Sequence, residues 1–205
     1  MSHYGQVMSQ SPVQERTRQA IVTAAVETWA EDRNATLAQI AAAAGVGRST
    51  VHRYFADRAE LLAAVDQECQ RRFVVATERA RPGDGSGLEA CHRLCQEYLE
   101  LGPVLGLIFA DNALVDPDSW SASAGAGDTD AGEDDDDPFA AAIRRGHRDR
   151  TVDPELPVGW AVTALWMLLY SAWLYSSTGR ASRREVSVLL VRTVAGAIGR
   201  SAPDG

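Results

Sequence analysis

An all-α chain of about nine helices in two domains, residues 12–56 and 57–205, is what the sequence predicts. Three observations carry that prediction. Nearly every periodic segment has the helical period, and convincing strand alternation is absent. Helix-start signals recur along the chain. Two short helical segments meet at Gly45 with no room for a strand between them. The length, 205 residues, allows one or two domains and a sizeable core.

The elements follow in order. Residues 1–10 read as a loose tail. Ser11-Pro12 is an N-cap followed by proline at the first helical position, opening a helix over about 12–31. Thr36-Leu37-Ala38-Gln39 is a capping box, and the helix it starts must end at Gly45, a residue that tolerates the left-handed conformation. A third helix covers about 47–55. Asp57-Arg58-Ala59-Glu60 is a further capping box, and the fourth helix sets Leu61, Val65, Cys69, Phe73 and Ala76 along one stripe. The run 81–87 is a turn or short linker. A fifth helix aligns Leu88, Cys91, Cys95, Tyr98 and Leu99, and 103–115 is apolar nearly all round, as in a buried helix. Residues 116–138, rich in Gly, Ser, Ala and Asp, read as a self-repelling mobile loop. A short helix with a basic end covers 138–150, in keeping with the negative C-terminal end of a helix dipole. Residues 158–178 form an apolar helix, and Ser182-Arg183-Arg184-Glu185 caps the last one.

Composition narrows the function less than it first suggests. The net charge of −8 argues against a polyanionic partner, but residues 111–137 hold ten acids and no base, so the remainder is +2. Nucleic acid therefore stays open. All the basic residues are Arg, whose planar fork of donors suits phosphate. Three cysteines do not make a disulfide framework, and the first residues lack a basic and apolar leader pattern. A reducing, cytoplasmic location is expected. No G-x-S-x-G, P-loop or dinucleotide fingerprint is present, so neither an enzyme nor a cofactor is expected.

The segment TLAQIAAAAGVGRSTVHRYF (36–55) carries the function. Leu37, Ile40 and Ala41 face inward on the first helix, and Val46 plugs the space between the two. Val51 and either Tyr54 or Phe55 pack the second helix back. Arg48, Ser49, Thr50, His52 and Arg53 are left pointing outward. A helix presenting small polar and Arg side chains fits a major groove, and its free N–H groups suit phosphate. This is the pattern of a helix-turn-helix with the second helix as reader.

Residues 17–65 resemble the TetR family of transcriptional regulators. The resemblance rests on Thr36, Ile40, Ala41, Ala44, Gly45, Val46, Thr50, His52, Tyr54, Phe55, Arg58, Leu61 and Leu62. Two departures stand out: His52 occupies a position where the family usually has Tyr, and Arg58 one where it usually has Lys. The resemblance implies a homodimer on a palindromic double-stranded operator, most often a repressor, with a small apolar or aromatic effector. Carried over, it makes Thr36, Arg48, Thr50, His52 and Arg58 phosphate contacts, Ser49 and Arg53 base readers, and keeps Tyr54 in the DNA-contacting set. For an effector pocket the candidates are Cys95, Tyr98, Phe109, Asn112, Trp166, Met167 and Tyr170. For the dimer seam they are Trp173, Val186, Leu189, Leu190, Val194, Ala197 and Ile198.

Three other features of the sequence admit rival readings. Residues 156–179 contain no charge and are long enough to span a bilayer, with Arg180, Arg183 and Arg184 on one side. Several Ser, Thr, Gly and Pro residues dilute that stretch, and no membrane partner is expected. Cys91-His92-Cys95 could mark a metal-sensing regulator, but a tetrahedral site needs further ligands and core packing is the expectation. The Asp134–Asp137 block lacks the alternation and glycine turn of a calcium loop.

Overall fold

The computed structural model describes residues 11–109 and 137–200, and among them every regular element is a helix. They are α1 (Pro12–Glu31), α2 (Leu37–Ala43), α3 (Arg48–Tyr54), α4 (Arg58–Ala80), α5 (Gly87–Leu99), α6 (Gly102–Phe109), α7 (Pro138–Asp149), α8 (Val158–Ser177) and α9 (Arg183–Ile198). One isolated antiparallel bridge joins Val152 to Gly199. Asn112 and the expected loop 116–138, apart from Asp137 and Pro138, lie outside the described residues.

The caps that the sequence signals are in place. Ser11 Oγ accepts from Gln14 N while the Gln14 side chain accepts from Ser11 N, so α1 opens with a reciprocal pair under Pro12. Thr36 and Gln39 do the same for α2, and Ser182 and Glu185 for α9. At α4 the box is shifted. Asp57 Oδ1 accepts from Glu60 N, but the Glu60 carboxylate reaches back to Ala56 N. A fourth reciprocal box, Ser86 with Glu89, opens α5 from within the segment read as a linker. Each such cap satisfies donors the first turn leaves open. Gly45 closes α2 at φ +67°, the left-handed conformation the turn requires.

The chain divides into two compact units, Met1–Glu68 and Cys69–Gly205. The division falls inside α4 rather than at residue 57, and the first turns of α4 bury Leu61, Ala64 and Val65. In the first unit α2 packs on α1 and α3, around Ile21, Val22, Ala25, Val26, Trp29, Ile40, Val51 and Phe55. In the second, α5 is central and packs on α6, α7, α8 and α9. Gly87 of α5 meets Gly146 of α7 so closely that a Cβ on Gly87 would stand 2.1 Å from the Gly146 nitrogen. The core there is built from Cys91, Leu94, Cys95, Leu105, Phe139, Ile143, Leu165, Leu169, Val186, Leu190, Val194 and Ile198. Each buried Leu or Ile of this kind contributes about 1.5–3 kcal/mol relative to exposure.

Candidate nucleic-acid interface and effector site

α3 is seven residues long, and of its side chains only Val51 is buried. Phe55, the residue that caps its C-terminal end, is buried with it, which resolves the choice between Tyr54 and Phe55 in favour of Phe55. Arg18 of α1 lies over the Phe55 ring, its Cζ 5.2 Å from the centroid. Arg48, Ser49, His52 and Arg53 are exposed, and Thr50 and Tyr54 half-buried. Arg53 stacks over Tyr54, 5.3 Å from its centroid, so the Tyr54 ring is a platform under the Arg53 guanidinium. Two cations, two hydroxyls and an imidazole thus share a short helix whose folding requires none of them.

Thr36 is exposed at the start of α2, but its hydroxyl is already paired. It donates to Gln39 Oε1 at 2.8 Å and accepts from Gln39 N. A phosphate bond from Thr36 would have to displace the first of these. Arg58 departs further from expectation. Its side chain is half-buried: Nη1 donates to Ala35 O at 2.7 Å, Nη2 donates to Arg33 O, and Cζ lies 4.5 Å from the centroid of the Trp29 ring. It is not a free phosphate arm, because two backbone carbonyls and an indole face hold the guanidinium.

In the second unit the structure brings Tyr98, Phe109, Trp166 and Tyr170 together. Tyr98 stacks on Trp166 with centroids 5.9 Å apart and planes 21° apart. Phe109 meets Trp166 at 6.3 Å and Tyr170 at 5.2 Å, both edge-on. Cys95 is buried in the same core. Met167 does not join them; one residue on from Trp166 it faces the other side of α8 and is 54% exposed. Trp173, expected at the dimer seam, is half-buried and packs against the aromatic rings. It stacks on Tyr170 at 6.0 Å, and its Nε1 donates to Gly102 O at 3.1 Å.

Sequence reasoning missed four members of this cluster. Phe73 packs edge-on against Tyr98 at 4.9 Å, and Phe139 does so at 5.4 Å. Thr77 Oγ1 and the Tyr98 hydroxyl are 2.8 Å apart. Asp137 is a buried carboxylate two residues before Phe139, with Oδ1 accepting from Phe139 N and Ala140 N. Burial pushes the Asp137 carboxyl above its ordinary range, against the pull of those two bonds and of Arg144. Burial likewise pushes the Tyr98 hydroxyl up to about 12, with Asp137 adding to the shift. Phe73 stood on the apolar stripe of α4, which was one available signal. Asp137 was masked by the acidic run in front of it.

Cys91 and Cys95 are fully buried, and desolvation pushes the Cys91 thiol up to about 12, so it is not a poised thiolate. Among the described residues no three His, Cys, Asp or Glu side chains converge as a metal site would need.

The residues expected at a dimer seam separate into two sets. Val186, Leu190, Val194 and Ile198 are buried within this chain's own core, facing α5 and α8. Leu189 and Ala197 point the other way and are exposed. Beside them Val188 is 63% exposed, and Trp160 on α8 is 67% exposed.

A small helical unit presenting a short cationic helix after a glycine turn, joined to a second unit with an aromatic core, defines a helix-turn-helix DNA-binding regulator. Known proteins agree. Residues 21–65 match the family described as bacterial regulatory proteins, tetR family. Over 189 residues the chain is 34% identical to the HTH-type transcriptional repressor LfrR of Mycolicibacterium smegmatis, covering 92% of this chain and 94% of that protein. The crystal structure of LfrR, a TetR-like regulator from the same organism, superposes with a TM-score of 0.64 at 32% identity, covering 92% and 99% of the two chains. LfrR in complex with proflavine gives a TM-score of 0.67 at 30% identity with the same coverage. The ketosteroid regulator KstR2 of Mycobacterium tuberculosis shares the fold, with a TM-score of 0.64 at 15% identity and 96% and 98% coverage. The chain belongs to the TetR family and is a DNA-binding transcriptional regulator.

Proposed function

We propose that this regulator is a cytoplasmic homodimeric repressor, released from a palindromic operator by a small planar aromatic ligand. The observation that carries the DNA side is α3: exposed Arg48, Ser49, His52 and Arg53 have no role in its packing. In a dimer two such helices enter successive major grooves about 34–36 Å apart. Arg53, placed over the Tyr54 ring, is the base reader, and Ser49 and Thr50 lie on the same short helix. Arg48 and His52 meet phosphate.

The dimer seam runs along the outer face of α8 and α9, through Trp160, Met167, Leu174, Tyr175, Val188 and Leu189, with Ala197 at its end. Large apolar side chains left this exposed on two adjoining helices support a second copy as their cover. α8 is also long and apolar enough to cross a membrane. Its inner side, however, packs on α5, α6, α7 and α9, and membership in a DNA-binding family supports the seam.

The effector enters the aromatic cluster. The rings of Phe73, Tyr98, Phe139 and Trp166 touch one another, so a planar ligand replaces ring–ring with ligand–ring contact and parts the helices that carry them. Asp137 favours a ligand with a positive charge. The relative LfrR has been crystallised with proflavine, an acridine dye, which supports a flat aromatic class. A ligand of this kind shifts the operator equilibrium only by its differential affinity for the two states.

The test is selection of bound duplexes from a random pool, followed by Arg53→Ala. Recovery of a palindrome, and loss of discrimination at one position of each half-site at a cost of about 1–3 kcal/mol, is expected. Selection of no sequence above background overturns the reading.

A further inference from the structure

We infer that Arg58 is a positioning residue of the DNA-binding unit rather than a contact to the DNA backbone. This rests on α2 and α3 forming the DNA-binding face. Arg58 stands in the first turn of α4, yet its guanidinium is held by the loop that precedes α2. It donates to Ala35 O at 2.7 Å and to Arg33 O. Its Cζ also lies over the Trp29 ring, 4.5 Å from the centroid, within cation–π range. Trp29 is fully buried, and its Nε1 donates to the same Ala35 carbonyl at 3.0 Å. Two donors from two different helices therefore converge on one backbone oxygen.

The next residue after that oxygen is Thr36, the N-cap of α2. The latch fixes the chain where α2 begins, and α2 in turn sets α3 through the turn at Gly45, whose nitrogen donates to Ala42 O, and through Val46 N donating to Ala41 O. Arg58 thus ties the start of α4 to the start of the reader pair. Its charge is turned onto carbonyl dipoles and an indole face. Two of its five N–H donors are spent on these carbonyls, and the indole face covers one side of the plane, so the guanidinium is oriented by the protein and not by a phosphate. Lysine cannot substitute in this role: a point ammonium supplies neither a fork that spans two carbonyls nor a flat face for the indole.

The two roles make opposite predictions. A phosphate contact depends on charge, so Arg58→Lys keeps affinity and Arg58→Met flattens the dependence of log K on log salt by about 0.9. A positioning residue depends on shape. Arg58→Lys and Arg58→Met then both weaken binding about tenfold or more, and the salt slope of each stays that of the unmodified protein.

The measurement uses the full chain, with a duplex selected by the unmodified protein from a random pool and a scrambled duplex beside it. Binding of the unmodified protein to the selected duplex tests the DNA-binding reading before any variant is made. Dissociation constants are taken at several salt concentrations, at a temperature where circular dichroism shows every variant folded. The expected result is loss on the selected duplex, little change on the scrambled one, and no rescue by lysine. Trp29→Phe, which keeps a ring and removes the indole donor without touching charge, is expected to weaken the selected duplex in the same direction, and it stands in should an Arg58 variant fail to fold. Wild-type affinity in Arg58→Lys, or a flattened slope in Arg58→Met, overturns the inference. So does wild-type affinity in a folded Trp29→Phe.

Discussion

α3 and α8 differ in nearly every respect, and the contrast shows where function is written in this fold. α3 has seven residues and buries one side chain; its surface is cationic and hydroxylic. α8 has twenty residues, buries Ala161, Val162, Leu165, Leu169 and Ala172, and still exposes Trp160, Met167, Leu174 and Tyr175. Folding explains Val51 and it explains Leu165. It explains neither Arg53 nor Trp160. A polar surface without a structural reason points to a polyanion in the one case. An apolar surface without one is what the proposed second copy of the chain would cover in the other.

Breaking the apolar half of that contrast should have the largest effect. Val188→Asp with Leu189→Asp places two carboxylates on the outer face of α9, where neither side chain is buried in its own unit. The helical content measured by circular dichroism should hold, since the inner residues Val186, Leu190 and Val194 are untouched. The mass in light scattering should fall to that of one chain, and affinity for a palindromic duplex should drop about a hundredfold, as two linked binding events become one. A variant that remains a dimer places the seam elsewhere.

The first unit was far more legible in the sequence than the second. Caps, the Gly45 turn and the outward set on α3 are local features, decided within a few residues, and the structure returns them apart from the shifted box at α4 and a half-buried Thr50. The pairing of Arg58 was not legible because its partners are carbonyls 23 and 25 residues away, and carbonyls carry no side-chain signature. α9 was half misread for a different reason. It is apolar on both sides, with Val186, Leu190, Val194 and Ile198 inside and Val188, Leu189 and Ala197 outside. Helical period alone cannot say which side faces its own core. For the same reason the sequence did not show that Met167 is exposed and that Trp173 packs on Tyr170. Asp137 was hidden among identical neighbours, although its position immediately before Pro138 is that of an N-cap.

The second unit also has a point where packing leaves no slack. A methyl group on Gly87 would stand 2.1 Å from Gly146 N and 2.4 Å from Ala142 O, both backbone atoms that cannot swing aside. Gly87→Ala must therefore push α5 and α7 apart. It should lower stability by about 1–3 kcal/mol, read as a fall of roughly 5 °C in Tm. The first unit contains no part of this crossing, so at temperatures below the transition the affinity for the selected duplex should move much less than stability does. An unchanged Tm would mean that the two helices cross with more room than the structure gives them.

The smallest expected effect concerns Asp137, the carboxylate buried two residues before Phe139. Asp137 has its carboxyl pushed upward by burial, so it takes up a proton at a higher pH than an exposed aspartate does. A flat aromatic cation prefers the ionised form. Its affinity should fall as pH drops through that raised value, where the carboxyl takes up its proton. Asp137→Asn keeps an oxygen to cap α7 at Phe139 N and removes the charge. Fluorescence titration with proflavine should show about tenfold weaker binding to that variant and no acid limb in its pH profile. A neutral aromatic of similar size should bind both proteins alike, since the rings of Tyr98 and Trp166 serve either ligand, and only the carboxylate distinguishes them. Equal affinities of the two proteins for the cation would leave the rings as the whole of the recognition.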